Sequence, residues 1–278
     1  MTALVKLAGD NLHVTQILFL RQMGMLVFTL PFIFNNIHSA LKTQRLYLQL
    51  LRLVFALIAM LGGFTAVIHM PLADATAIAF AKSFFVTIFA VILLKEQVGR
   101  YRWFAVVVGF IGVLVMLRPG TESFTIYSVY ALIGAASAGI VMVIIRMMSR
   151  TDAPETILLY QALGIAIAML LPAIYFWQWP TLNEWLICAA IGAVSYFAQK
   201  ANIYAYKFGE ASLLASLDYV RLLYATLFGY LLFDQLPGAY TWLGACIIIC
   251  ASIYTVHREA KRKQQLARSP YGRSFTNL

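Results

Sequence analysis

Residues 73–96 read ADATAIAFAKSFFVTIFAVILLKE: between Asp74 and Lys95 the chain runs for twenty residues with Lys82 as the one charge. Twenty residues of α-helix, at about 1.5 Å each, span the roughly 30 Å hydrocarbon core of a bilayer. No soluble helix needs so continuous an apolar surface, because a helix packed on a globular core exposes one polar face. Pro71 stops whatever precedes this stretch, and the Lys95-Glu96 pair closes it in water. The same pattern recurs on both sides. Apolar runs lie at about 17–34, 50–70, 72–94, 101–117, 126–148, 157–179, 185–206, 211–233 and 240–257. The reading is an all-α polytopic membrane protein with nine complete spans.

Composition agrees. Of 278 residues, 62% are hydrophobic and only 12% charged, against about 25% charged in a soluble domain. The formal net charge of +10 would suggest nucleic acid in a soluble chain, but here its distribution has a topological meaning. With the C-terminus inside and the spans alternating, the inner segments hold Lys42, Arg45, Lys95, Arg100, Arg102, Arg146, Arg150, Lys207 and the tail residues Arg258, Lys261, Arg262, Lys263, Arg268 and Arg273. The outer segments hold Lys6 and Arg118. Lys and Arg concentrate on the cytoplasmic side of membrane proteins, so the C-terminus is expected in the cytoplasm, with the tail 258–278 basic and disordered. The partners implied are a lipid bilayer and a small-molecule substrate, with no nucleic acid. Cys188, Cys246 and Cys250 all fall in apolar runs and read as small buried hydrophobes. Residues 1–11 lack the apolar centre of a cleavable signal.

The second half of the chain echoes the first. A shift of 138 carries Ala73 onto Ala211, Ala77 onto Ala215, Leu94 onto Leu232, Glu96 onto Asp234 and Gln97 onto Gln235; after one insertion Trp103 meets Trp242. Near the start the shift is 140, which pairs Lys6 with Arg146 and Ile17 with Ile157. The ordered series indicates an internal repeat. The repeat implies a unit of five helices, of which most of the first is expected to be absent from this chain. An odd number of spans inverts the second unit relative to the first, an arrangement found in transporters with a site at the repeat interface.

The run 73–96, the following WFAVVVGFIGVLVMLRPG (103–120), the second-half run GEASLLASLDYVRLLYATLFGYLLFDQ (209–235) and Trp242 onward together resemble the EamA family of the drug/metabolite transporter superfamily. The resemblance covers residues 1 to about 257. It implies a ten-helix fold of two inverted five-helix repeats, 1–120 and 121–257, and secondary transport of a small metabolite by alternating access across the bacterial inner membrane. Lys82 and Val220 stand where the family often has proline, which predicts unkinked third and eighth spans.

Charges inside the spans point to the site. An ionisable group at the bilayer centre costs on the order of 3 kcal/mol, so it needs a partner or a water-filled cavity. Lys82 lies ten residues into the third span and Arg221 ten into the eighth, its repeat equivalent; Asp218 is one turn from Arg221. This net positive group is the candidate substrate site, suited to a carboxylate or phosphate. Gln199, Asn202 and Tyr204 are candidate cavity-lining residues on the seventh span. Arg21, Arg52 and Lys200, nearer span ends, are expected to snorkel to the interface. The small residues from Gly134 to Gly139, with Gly109 and Gly112, are expected to let helices approach closely. The sequence has no GxxxxGK[ST] loop, no HExxH and no GxSxG, so an enzyme reading has no motif behind it. No cofactor and no metal are expected, since His13, His38, His69 and His257 lack ligand spacing. The alternative to a transporter is a non-transporting membrane scaffold or assembly subunit, which would have no need of charges at mid-membrane.

Overall fold

The computed structural model describes residues 1–35, 43–95, 100–118, 124–149, 151–208, 220–235 and 237–268, with side chains described for most of them. They form α1 (Thr2–Gly9), α2 (Val14–Asn35), α3 (Leu46–His69), α4 (Leu72–Ala79), α5 (Ala81–Leu94), α6 (Arg100–Leu117), α7 (Ile126–Met148), α8 (Pro154–Tyr175), α9 (Leu182–Phe208), α10 (Val220–Phe233) and α11 (Ala239–Arg268). Helices α3, α4–α5, α7, α8 and α9 carry apolar stretches long enough to cross a membrane, and α2, α6, α10 and α11 carry shorter ones. The order matches the nine spans read from the sequence.

The helix ends follow local chemistry. The residue before a proline disfavours helical backbone, and α3 stops as Met70 turns extended ahead of Pro71. Pro154 opens α8 at a first-turn position whose missing N–H costs nothing. Helix α10 ends in a reversed turn: Asp234 takes a left-handed φ of 50°, and Gln235 N–H donates to the Gly229 carbonyl at 2.9 Å.

Three expectations are corrected, the first being the cysteines: Cys188 is buried, but Cys246 and Cys250 are exposed. The third span is interrupted at Phe80, between α4 and α5, although no proline is near. Phe80 N–H reaches only as far back as the Ala77 carbonyl (3.1 Å), and Ser83 N–H donates to the Phe80 carbonyl (3.0 Å). These i→i−3 bonds tighten the turn in the 3₁₀ manner. Residues before Val220 at the matching place in the eighth span lie outside the described residues. The basic tail is not irregular from Arg258 onward: α11 continues to Arg268. Residues 258–268, REAKRKQQLAR, are nearly all strong helix formers.

Packing sets each helix chiefly against one or two others: α3 against α7, α2 against α8 and α9, α6 against α11, and α4 against α10. Two of these pairs (α2–α8 and α6–α11) join elements that correspond under the shifts read in the sequence. Small residues make the approaches possible, as expected at Gly134 and Gly112, where an added Cβ would lie 3.0 Å from the Gly63 nitrogen of α3 and 3.0 Å from the Gly244 carbonyl oxygen of α11. A Cβ added at Gly62 on α3 would lie 2.5 Å from the Tyr130 carbonyl oxygen of α7, and one at Gly24 on α2 would lie 2.9 Å from the Gly192 Cα of α9.

Candidate functional site

Lys82 is half-buried in the first turn of α5, two residues past the tightened turn at Phe80. Arg221 belongs to the first turn of α10, but its side chain lies outside the described residues, and so does the whole of Asp218. On α9, Gln199 is half-buried and Asn202 exposed. Tyr204 is also exposed and donates its hydroxyl to Glu155 Oε1 on α8 at 3.3 Å. Lys200, one turn earlier, places Nζ 3.5 Å from the same carboxylate oxygen. Tyr204 and Lys200 thus meet on the first turn of α8. Helix α5 packs mainly on α7, whereas α9 packs mainly on α2.

The structure departs most from the sequence reading at Arg21 and Arg52. Both were expected to snorkel, and both are only 2% exposed. Each lies about 10 Å along its helix from the nearer end, but its side chain points into the bundle. Arg52 shares the buried face of α3 with Leu48, Gln49 and Ala56, at helical spacing. Its Nη1 donates to the Ile157 carbonyl at 2.9 Å and its Nη2 to Gln161 Oε1, fastening α3 to α8. Arg21 donates from Nε to Ser195 Oγ on α9 at 2.8 Å. Its Nη1 reaches Gln22 Oε1 at 3.4 Å and the Met60 thioether sulfur at 3.3 Å, and its guanidinium lies 5.8 Å from the centre of the Phe64 ring. Among the described residues neither arginine has a carboxylate within ion-pair distance. A buried cation compensated only by neutral acceptors is unusual, since charge burial costs several kcal/mol unless paired. The sequence signal for both was the apolar face they share at i, i+3 and i+4 with their neighbours, which depth counting ignores.

Polar clusters hold both ends of the bundle. At one end Gln16 and Gln178 exchange two bonds: Gln16 Nε2 donates to the Gln178 carbonyl at 2.7 Å, and Gln178 N–H donates to Gln16 Oε1 at 3.1 Å. His13, in the turn between α1 and α2, stacks on Phe176 with ring centres 4.1 Å apart, and burial pushes its pKa below the ordinary histidine value. Asn11 Nδ2 donates to Glu184 Oε1 at 2.8 Å. At the other end Asp152, just before α8, accepts from Thr43 Oγ1 and from Gln49 Nε2, the latter at 3.1 Å. Back at the first end, Lys6 caps the C-terminus of α3 by donating to the Met70 and Val67 carbonyls, a favourable place for a cation. The arrangement is a helical bundle with a positive interior and a polar clasp at each end. Among the described residues no cluster of His, Cys, Asp or Glu has the makings of a metal site.

Comparison with known proteins points the same way. The profile of the EamA-like transporter family matches residues 1–118 and 125–256. An S-adenosylmethionine uptake transporter of Rickettsia prowazekii is 29% identical over 256 residues, 92% of this chain and 87% of its own. A riboflavin transporter of Brucella anthropi is 30% identical over 244 residues, 84% and 85% of the two chains. A pseudopaline exporter of Pseudomonas aeruginosa is 31% identical over 258 residues, 91% and 89%. A solved crystal structure superposes with a TM-score of 0.67 over 91% of this chain and 93% of its own, at 17% identity, a likeness of fold.

Proposed function

Because the chain belongs to the EamA-like transporter family, we propose that it carries a small metabolite bearing a carboxylate or phosphate across the bacterial inner membrane by alternating access. A multi-pass membrane transporter of small molecules, and no enzyme, is what the family membership itself establishes. The anionic character of the substrate rests on one observation, the positive charge held inside the bundle. Among the described residues Arg21 and Arg52 are buried without an ion pair, and Lys82 adds a third cation within a spanning segment. An anionic group moving through such an interior exchanges water for charge-assisted hydrogen bonds.

In this reading residues 1–120 and 121–257 are the two repeats, and the tail 258–278 is cytoplasmic. The substrate sits at their interface, where Lys82 and Arg221 face each other with Asp218 beside Arg221. Gln199, Asn202 and Tyr204 line the path. The bias of Lys and Arg toward the inner segments supports the orientation, which a reporter fused after Leu278 reads directly.

The test is uptake into proteoliposomes holding the purified chain, with labelled amino acids and organic acids as probes. Saturable uptake should be competed by free carboxylates and not by their amides. Competition by the amides at equal strength would refute the anionic reading. Lys82→Met and Arg221→Met should each weaken affinity by about 10- to 150-fold while the protein still inserts, the effect of losing a charge-assisted contact worth about 1.5–3 kcal/mol. Asp218→Asn should harm binding less and folding more.

A further inference from the structure

We infer that Arg21 on α2 is an anion-binding residue whose contact point is occupied, in this structure, by the thioether of Met60. The inference rests on the anionic reading above and adds to it a second locus of positive charge, where α2, α3 and α9 meet.

Arg21 is almost completely buried, and none of its acceptors is charged. Nε has the Ser195 hydroxyl, while Nη1 has a long bond to Gln22 Oε1 and a contact to sulfur; Nη2 has no hydrogen-bond partner among the described residues. A guanidinium offers five N–H donors in a fork matched to two oxygens of one carboxylate or phosphate. Here that fork is largely unfilled.

A second donor converges on the same place. Gln22 Nε2 points to Met60 Sδ at 3.8 Å, while Arg21 Nη1 lies 3.3 Å from that sulfur. Two donors from adjacent residues of α2 therefore aim at one thioether, which is a weak acceptor. Methionine is also the most adaptable of the apolar side chains, with three rotatable bonds. A carboxylate or phosphate oxygen in the place of the sulfur would satisfy both donors with charge-assisted bonds. The Phe64 ring, its centre 5.8 Å from the guanidinium carbon, lies within cation–π range.

Arg52 serves as the internal control. It is equally buried and, among the described residues, equally without an ion pair; its Nε also has no hydrogen-bond partner, but Nη1 and Nη2 are held by two carbonyl oxygens of α8, strong acceptors that a ligand has no reason to displace. Its design is that of a fastening between helices. Arg21 has one good bond between helices, to the Ser195 hydroxyl, and otherwise a long amide contact and a thioether.

The experiment uses the full chain in detergent micelles with methyl-labelled methionine. The probes are glutamate, succinate and inorganic phosphate. At least one should raise the melting temperature, as a ligand of the folded state does, and should shift the Met60 methyl resonance, assigned through Met60→Leu. Arg21→Gln should weaken the stabilising anion about tenfold or more. Arg52→Gln should melt lower without ligand but keep the anion response. Stabilisation of the wild type that Arg21→Gln retains, or that leaves the Met60 methyl unmoved, would overturn the role of Arg21 while leaving the anionic reading intact. No response of the wild type to any of the three would overturn both. If Arg21→Gln does not fold, the Met60 resonance alone decides.

Discussion

Two arginines of this bundle have the same charge and the same burial, and differ in what receives their hydrogen bonds. Arg52 spends its donors on a backbone carbonyl and a glutamine carbonyl of α8. Arg21 spends its on a hydroxyl, a thioether and one long amide contact. The comparison teaches that burial by itself does not say whether an intramembrane cation is structural or functional. The quality of its acceptors does, because strong neutral acceptors compensate a buried charge and weak ones leave it ready for an anion.

The largest expected effect tests that contrast. Arg52→Ala removes two charge-assisted bonds and a long buried side chain, and should lower stability by about 2–4 kcal/mol. Arg21→Ala should lose much less in the absence of ligand, because the bonds it gives up are weak and an uncompensated charge goes with them. Equal losses for the two variants, read by unfolding in mixed micelles, would erase the distinction.

An intermediate effect concerns the helix pairs that bear the two arginines. On the Arg21 side α2 and α9 touch backbone to backbone: a Cβ at Gly192 would lie 2.8 Å from Gly24 Cα. On the Arg52 side a Cβ at Gly164 would meet the Leu53 methyls at 2.5 and 2.6 Å, the far end of a side chain that can move. Gly192→Ala should therefore cost about 1–2 kcal/mol after the gain in helix propensity is counted. Gly164→Ala should stay within about 0.5 kcal/mol of the parent, since the same gain offsets a small repacking. Similar costs for the two would mean that the α2–α9 contact has more give than its geometry implies.

The smallest effect sharpens the comparison from the opposite side. Lys200 has a carboxylate partner, yet its side chain is 36% exposed. Glu155→Gln should change stability by less than about 1 kcal/mol, as for other solvated pairs. A larger loss would show that the Lys200–Glu155–Tyr204 cluster carries weight that its exposure conceals.

Several features were determined by the sequence alone. Runs such as 73–96 are too long and too apolar for anything but a membrane helix, because every backbone polar group in hydrocarbon must be satisfied within its own segment. The helix order, the break at Pro71 and the close approaches at Gly112 and Gly134 follow from local composition, and the family resemblance rides on the same runs. The tertiary structure decided what those runs could not. It interrupted the third span at Phe80 without a proline, and it carried α11 on to Arg268. Above all it turned Arg21 and Arg52 inward. Depth counted along a helix does not say which way a side chain faces; the apolar face it shares with its neighbours hints at that direction, but not at which partner offers an acceptor. Those acceptors lie far off in the chain: Ser195 is 174 residues from Arg21, and Ile157 is 105 from Arg52. No local pattern encodes such partners, and only the packed bundle brings them together.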